Sequence, residues 1–154
     1  MTTHMATIKW NRIKDELFVD NKFSRGHEWI FDSGTVVEAS SSPHIVPIPY
    51  SVESNVDPEE AFIASVSSCH MLFFLSISAK KGYVIDQYID KAKGEMGKNS
   101  EGHHSIVKVK LYPRAIFSGD KKPTADEIQS IHAQSHRQCF IANSVKSEVE
   151  IKLD

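Results

Sequence analysis

From Ala61 to Ala79 the chain carries no Asp, Glu, Lys or Arg, yet both flanks of this stretch are charged. Asp57-Pro58-Glu59-Glu60 precedes it. Asp is a favoured N-cap, Pro suits the first helical position, and the two glutamates complement the positive end of the helix dipole. Lys80-Lys81 and Gly82 follow it, giving a basic last turn and a left-handed terminator. The pattern predicts one helix of about 24 residues, roughly 36 Å long at ~1.5 Å rise per residue. Its apolar residues, among them Phe62, Val66, Leu72, Phe74 and Ile77, lie all round it. A helix apolar on every face is expected to be covered on every face. The length suits a membrane span, but five serines and His70 interrupt the stretch and no second span follows. No membrane role is expected. A chain of 154 residues has difficulty wrapping such a helix alone, so a partner subunit is the expected cover.

The remaining segments are expected to pack with this helix as one α+β domain spanning 1–154. Thr7 to Trp10, His27 to Asp32 and Thr35 to Ala39 read as short strands, with turns at Asn21-Lys22 and Ser33-Gly34. Three prolines between Ser40 and Ser51 make SSSPHIVPIPYS extended and exclude a central strand. Tyr88 to Met96, which contains Gly94, is a weak strand candidate. Ser105 to Phe117 is a stronger one, since Val107, Val109 and Leu111 alternate with lysines. The polar segment Asn99 to His104 joins them, so an antiparallel hairpin is expected. Thr124 and Glu127 form a capping box that opens a second helix running to about Arg137. Val145 to Leu153 alternates as a half-buried strand.

Composition excludes several classes of function. The net charge of -2, with acidic and basic residues interspersed, offers no electrostatic footprint for nucleic acid. The N-terminal stretch lacks an apolar core and a small-residue cleavage site, so a cytoplasmic location is expected. No glycine-rich phosphate loop and no GxSxG elbow is present.

Two cysteines are too few for a disulfide scaffold. Cys69 falls near the middle of the first helix and Cys139 just beyond the second. One reading makes both small buried hydrophobes. The other makes them a redox pair, in which one thiolate becomes a sulfenic acid and the second thiol condenses with it. That chemistry needs a cation near the first thiol, because the dipole of the helix fades within its first turn. Of the four arginines, Arg12, Arg25, Arg114 and Arg137, Arg25 is the preferred candidate, since FSRGH lies between strands able to close over the helix. Glu59 is a candidate carboxylate partner for it. Glu59 and Cys69 lie about 15 Å apart along one helix, so a site using both must draw the glutamate from a second copy. His132 and His136 at i, i+4, with Cys139 and Cys69-His70, leave metal binding open as a further alternative.

VDPEEAFIASVSSC, Val56 to Cys69, resembles the "N-P-E-x-L…A…C" helix opening of the OsmC/Ohr family, the osmotically inducible protein C and organic hydroperoxide resistance proteins. CFIANSVKSEVEI, Cys139 to Ile151, resembles the family's second-cysteine segment and final strand. The resemblance implies an OsmC-like fold with antiparallel sheet elements around a long buried central helix, in an intertwined homodimer. It implies a peroxidatic Cys69, a resolving Cys139, a catalytic Glu59 and an arginine best matched by Arg25. The implied activity is reduction of organic hydroperoxides without metal or flavin, with a lipoyl group or other dithiol restoring the thiols. His70 departs from the family pattern, which has an apolar or aromatic residue after the first cysteine. An alternative within the same fold is a non-enzymatic dimer that binds a small hydrophobic ligand or a metal at its interface.

Overall fold

The computed structural model describes residues 1–154 and divides into two compact units, Met1–Ala61 and Phe62–Asp154. The first unit is a three-stranded antiparallel sheet, β1 (Ala6–Lys9), β2 (His27–Phe31) and β3 (Val36–Ala39), in sequential order. Gly34, with φ +90°, makes the turn between β2 and β3. The proline-rich segment forms turns rather than a strand. Trp10, Phe18 and Phe23 collect into an aromatic cluster, with Phe18 stacked on Phe23 at 4.4 Å between ring centroids.

The helix α1 runs from Pro58 to Lys80. Asp57 Oδ1 accepts from the Glu60 N–H at 2.8 Å, and Glu60 Oε1 accepts from the Asp57 N–H at 2.8 Å, a reciprocal cap. At the other end Gly82 sits at φ +84°. The Tyr83 N–H donates to Ser78 O and the Gly82 N–H to Ala79 O, both at 3.0 Å, which is a Schellman closure. Asp57 with Glu60 at one end and Gly82 at the other therefore act as the terminators the sequence predicts.

The second unit packs α1 and a second helix, α2 (Ala125–Gln138), with two small sheets. One sheet pairs β4 (Val84–Asp90) with β7 (Pro113–Ser118), antiparallel; the other orders β5 (Lys93–Lys98), β6 (His104–Leu111) and β8 (Glu148–Ile151). The pairing of β5 with β6 is the expected hairpin, and β8 runs parallel to β6. Two expected strands are each divided. The Tyr88–Met96 candidate spans the end of β4 and most of β5, and the Ser105–Phe117 candidate breaks at Tyr112. Asp90 explains both breaks. Its Oδ1 accepts the Tyr112 N–H at 2.6 Å and its Oδ2 accepts from Ser67 Oγ, so a carboxylate replaces a ladder bond where the chain turns. Pro113, opposite Asp90, has no N–H to restore that bond. Gly94 lets β5 approach α1 closely: a Cβ there would lie 2.5 Å from Ile63 Cδ1, and that side chain would have to shift.

Two apolar clusters flank α1 in this unit. Phe74, Ile77, Tyr83 and Ile131 form one, and Val66, Val109 and Leu111 form the other. The helix is not covered on every face within one chain. Its buried positions, Val66, His70, Phe74 and Ser78 at i, i+4 with Ile77 beside them, follow a single stripe, while Leu72 is 59% exposed. The helix is long and apolar enough to cross a membrane by length and composition.

Candidate functional site

Cys139 is the C-cap of α2, whose start is set by Thr124: its side chain accepts from the Glu127 N–H and the Glu127 carboxylate reaches back to the Thr124 N–H. The helix stops there because Cys139 adopts extended backbone angles, and a short 3-10 turn, Ala142–Ser144, follows. That turn aims the Ala142 N–H at Cys139 Sγ, 3.4 Å away. The Asn143 N–H and side-chain amide both donate to Cys139 O at 3.0 Å, which fixes the corner.

The arrangement brings the two cysteines together. Cys69, half-buried on α1, is near enough to Cys139 for the two thiols to influence each other, and both are free. Cys139 has no exposed surface. Burial pushes its thiol above the usual range, the Cys69 thiol adds to this, and the N–H groups of Ala142 and Ile141 oppose it. The pair is asymmetric: Cys69 is partly exposed, whereas Cys139 is enclosed and its thiol is pushed toward the protonated form. Phe73, one turn beyond Cys69, meets Phe140 edge-on at 5.1 Å, giving the pair an apolar flank. Phe140 is 72% exposed.

Glu59 and Arg25 lie in the N-terminal unit and do not form an ion pair with each other. Glu59 Oε2 is buried and has no hydrogen-bond partner. The Arg25 guanidinium lies over the Phe23 ring at 3.7 Å and donates to the carbonyls of Asn21 and Phe23 and to Asn21 Oδ1. Three of its five donors are used, and no carboxylate neutralises it. It lines a cleft of about 480 Å³ with Ile8, Trp10, Phe18, Phe23 and His27.

His70 and His132 form a contact that the sequence did not disclose. His70 Nε2 and His132 Nδ1 stand 2.9 Å apart, and the rings stack nearly parallel, at 7°. His132 stacks in turn on Phe74 at 4.1 Å. Burial pushes His70 down to about 4, with His136 adding to the effect, and burial with His70 pushes His132 down to about 3. The i, i+4 spacing of His132 and His136 suggested a metal pair. Instead His132 faces α1, and no group of three or more His, Cys, Asp or Glu is placed to hold a metal ion. The only available sequence signal was a histidine on each of two apolar helix faces, which does not identify a partner.

A sequence profile for the family described as OsmC-like protein matches residues 52–154. Among solved structures, an OsmC-like protein of unknown function from Vibrio cholerae is 52% identical, with 100% of each chain covered and a TM-score of 0.99. An organic hydroperoxide resistance protein from Elizabethkingia anophelis is 18% identical over 99% of this chain and 94% of that one, with a TM-score of 0.71. Another, from Bacillus subtilis, is 17% identical over 99% and 97%, with a TM-score of 0.67. No curated protein matches the chain. The profile and the full-length likeness to the Vibrio protein agree with the mixed α+β architecture, and the chain belongs to the OsmC-like family.

Proposed function

We propose that this chain is a cysteine-dependent reductase of organic hydroperoxides that works as a homodimer in the cytoplasm. The observation that carries the reading is the thiol pair: a partly exposed Cys69 beside an enclosed Cys139 whose thiol is pushed toward the protonated form. The Cys69 thiolate attacks the distal oxygen of the hydroperoxide. An S–O bond forms, the O–O bond breaks, and the alkoxide leaves as an alcohol on taking a proton. Cys139 then attacks the sulfenic sulfur; the S–S bond forms and water departs. An external dithiol, of lipoyl type, reduces the disulfide and regenerates both thiols.

Arg25 and Glu59 are assigned to holding Cys69 as thiolate and orienting the peroxide. Glu59 lies about 15 Å along α1 from Cys69, so it serves the Cys69 of a second subunit. Its buried, unpartnered carboxylate oxygen supports a partner from outside the chain. The uncovered faces of α1, with Leu72 59% exposed, support the same dimer. Phe73 and Phe140 favour alkyl and aryl peroxides over hydrogen peroxide, whereas Phe74 has no exposed surface and serves the core.

Steady-state consumption of cumene hydroperoxide with dihydrolipoamide as reductant tests the reading. Turnover that exceeds that with hydrogen peroxide and disappears in Cys69→Ser is expected; absence of turnover in the wild-type protein refutes it. A second reading, a non-enzymatic dimer holding a small hydrophobic ligand, is favoured by the aromatic cleft around Trp10 and Phe23. Quenching of Trp fluorescence by an apolar probe, in a protein inert to hydroperoxides, would select it.

A further inference from the structure

We propose that His70 and His132 are positioning residues for disulfide closure, clamping α1 to α2 so that Cys69 and Cys139 meet. This rests on the two-thiol reading above.

Cys69 and His70 are consecutive on α1, and Cys139 caps the helix that carries His132. The two sulfurs are therefore borne by the same two helices that the imidazole pair joins. His70 is 1% exposed and His132 3% exposed. Water does not compete for their hydrogen bond, and in so enclosed a place its loss strands polar nitrogens.

The tautomers follow from the unpartnered atoms. His70 Nδ1 is buried without a partner. If it carried the proton, an N–H donor would be orphaned, the rarer and costlier state. His70 therefore keeps its proton on Nε2 and donates to Nδ1 of His132, and His132 carries its own proton on Nε2. Both rings are neutral, consistent with burial disfavouring the charged form. Phe74, beneath His132 at 4.1 Å, fixes the plane of the ring and so the direction of its acceptor. The bond has one donor, one acceptor and a fixed stack, so it defines a helix spacing rather than merely filling space.

Closure of a disulfide is sensitive to that spacing. The sulfurs must come from thiol contact to an S–S bond of about 2 Å with the Cβ atoms about 4 Å apart, and a misplacement of about 1 Å can cost on the order of a hundredfold in rate. The tie lies one residue from Cys69 on α1 and seven residues, about two turns, before Cys139 on α2, and it restricts the spacing of the two helices throughout the cycle.

The test uses the full-length protein and oxidised glutathione, so that it does not depend on peroxide chemistry. The Cys69 thiolate attacks the glutathione disulfide and releases one glutathione; Cys139 attacks the mixed disulfide and releases the second. Rapid-quench mass spectrometry separates the two steps. His132→Phe keeps a ring on Phe74 but removes the acceptor, whereas His132→Asn places an amide oxygen near the position of Nδ1. We expect His132→Phe to leave the first step unchanged and to slow closure roughly tenfold or more, with the mixed disulfide accumulating. His132→Asn is expected to restore closure. Should His132→Phe fail to fold by circular dichroism, the same comparison is made between His70→Leu and His70→Gln. Equal closure rates in wild type and His132→Phe, or a folded His132→Asn as slow as His132→Phe, would overturn the positioning role. Wild-type protein that stops at the mixed disulfide overturns it together with the two-thiol reading. Wild-type protein that closes with glutathione yet ignores hydroperoxides removes only the peroxidase reading.

Discussion

Replacing both buried imzidazoles by amides, in His70→Gln/His132→Asn, should remove an acid sensitivity from the fold. An unfolded histidine takes up its proton near 6.5, whereas His70 and His132 in the folded chain resist protonation until about 4 and about 3. Below 6.5 the unfolded state thus binds more protons, and stability falls as pH falls. The penalty is absent above 6.5, grows downward from there and levels off below the two folded values. Linkage puts the loss between about pH 7.5 and about pH 5 at about 2 kcal/mol for each ring and about 4 kcal/mol for the pair, against a typical total of about 5–15 kcal/mol. The groups around the pair include His136 on α2 and, lining the same small cavity as His132, the Arg114–Asp154 ion pair. The salt-bridged Glu95 and Glu150 and the Tyr83-bonded Glu127 all have carboxyls held below the usual range, so their losses begin below about 4.5 and fall in a separate window. Urea unfolding at a series of pH values from 7.5 to 5 measures the slope. The wild-type protein should lose several kcal/mol and the double variant, which keeps an N–H···O link but cannot be protonated there, should lose much less. Parallel curves for the two proteins, or a flat wild-type curve, would refute the reasoning.

Other outcomes follow from the same coordinates. Cys69→Ser should abolish hydroperoxide turnover, while Cys139→Ser should show one oxidation event per chain without recycling, read by trapping the sulfenic acid with dimedone. Mixing Glu59→Gln with Cys69→Ser should restore activity to about a quarter of wild type on random subunit exchange, because only mixed dimers hold one intact site; a mixture as inactive as its parents contradicts a glutamate donated across the dimer. Phe74→Ala, which empties a fully buried position between the sheets and His132, should cost about 3–5 kcal/mol in urea unfolding. Thr124→Ala should cost about 1 kcal/mol by losing the cap of α2.

What the sequence made legible was mostly local chemistry. The ends of α1 could be read from Asp57, Pro58, Glu60 and Gly82, and the start of α2 from Thr124 and Glu127, because each cap is completed within a few residues. The alternation in the last strand likewise placed Val149 and Ile151 against the core. The breaks at Lys91–Ala92 and Tyr112 were not legible, since they depend on Asp90 reaching a backbone N–H and a serine that lie over twenty residues away. The incomplete cover of α1 within one chain agrees with the expectation that a single chain cannot wrap it: a helix apolar all round shows how much cover it needs, not which chain supplies it. At the candidate site, two cysteines and an i, i+4 histidine pair fixed the available chemistry but not the partners. Proximity of Cys69 to Cys139 was implied by family resemblance, and the His70–His132 contact, 62 residues apart in sequence, had no local signature at all.

The account depends on whether the two sulfurs join when the protein meets an organic hydroperoxide. Peptide mass spectrometry on non-reduced protein, after one equivalent of cumene hydroperoxide, reads this directly. The expected result is a single cross-linked peptide pair joining Cys69 to Cys139 within one chain, lighter by two hydrogens. Both cysteines recovered as free thiols, or Cys69 oxidised while Cys139 never bonds to it, would contradict the account.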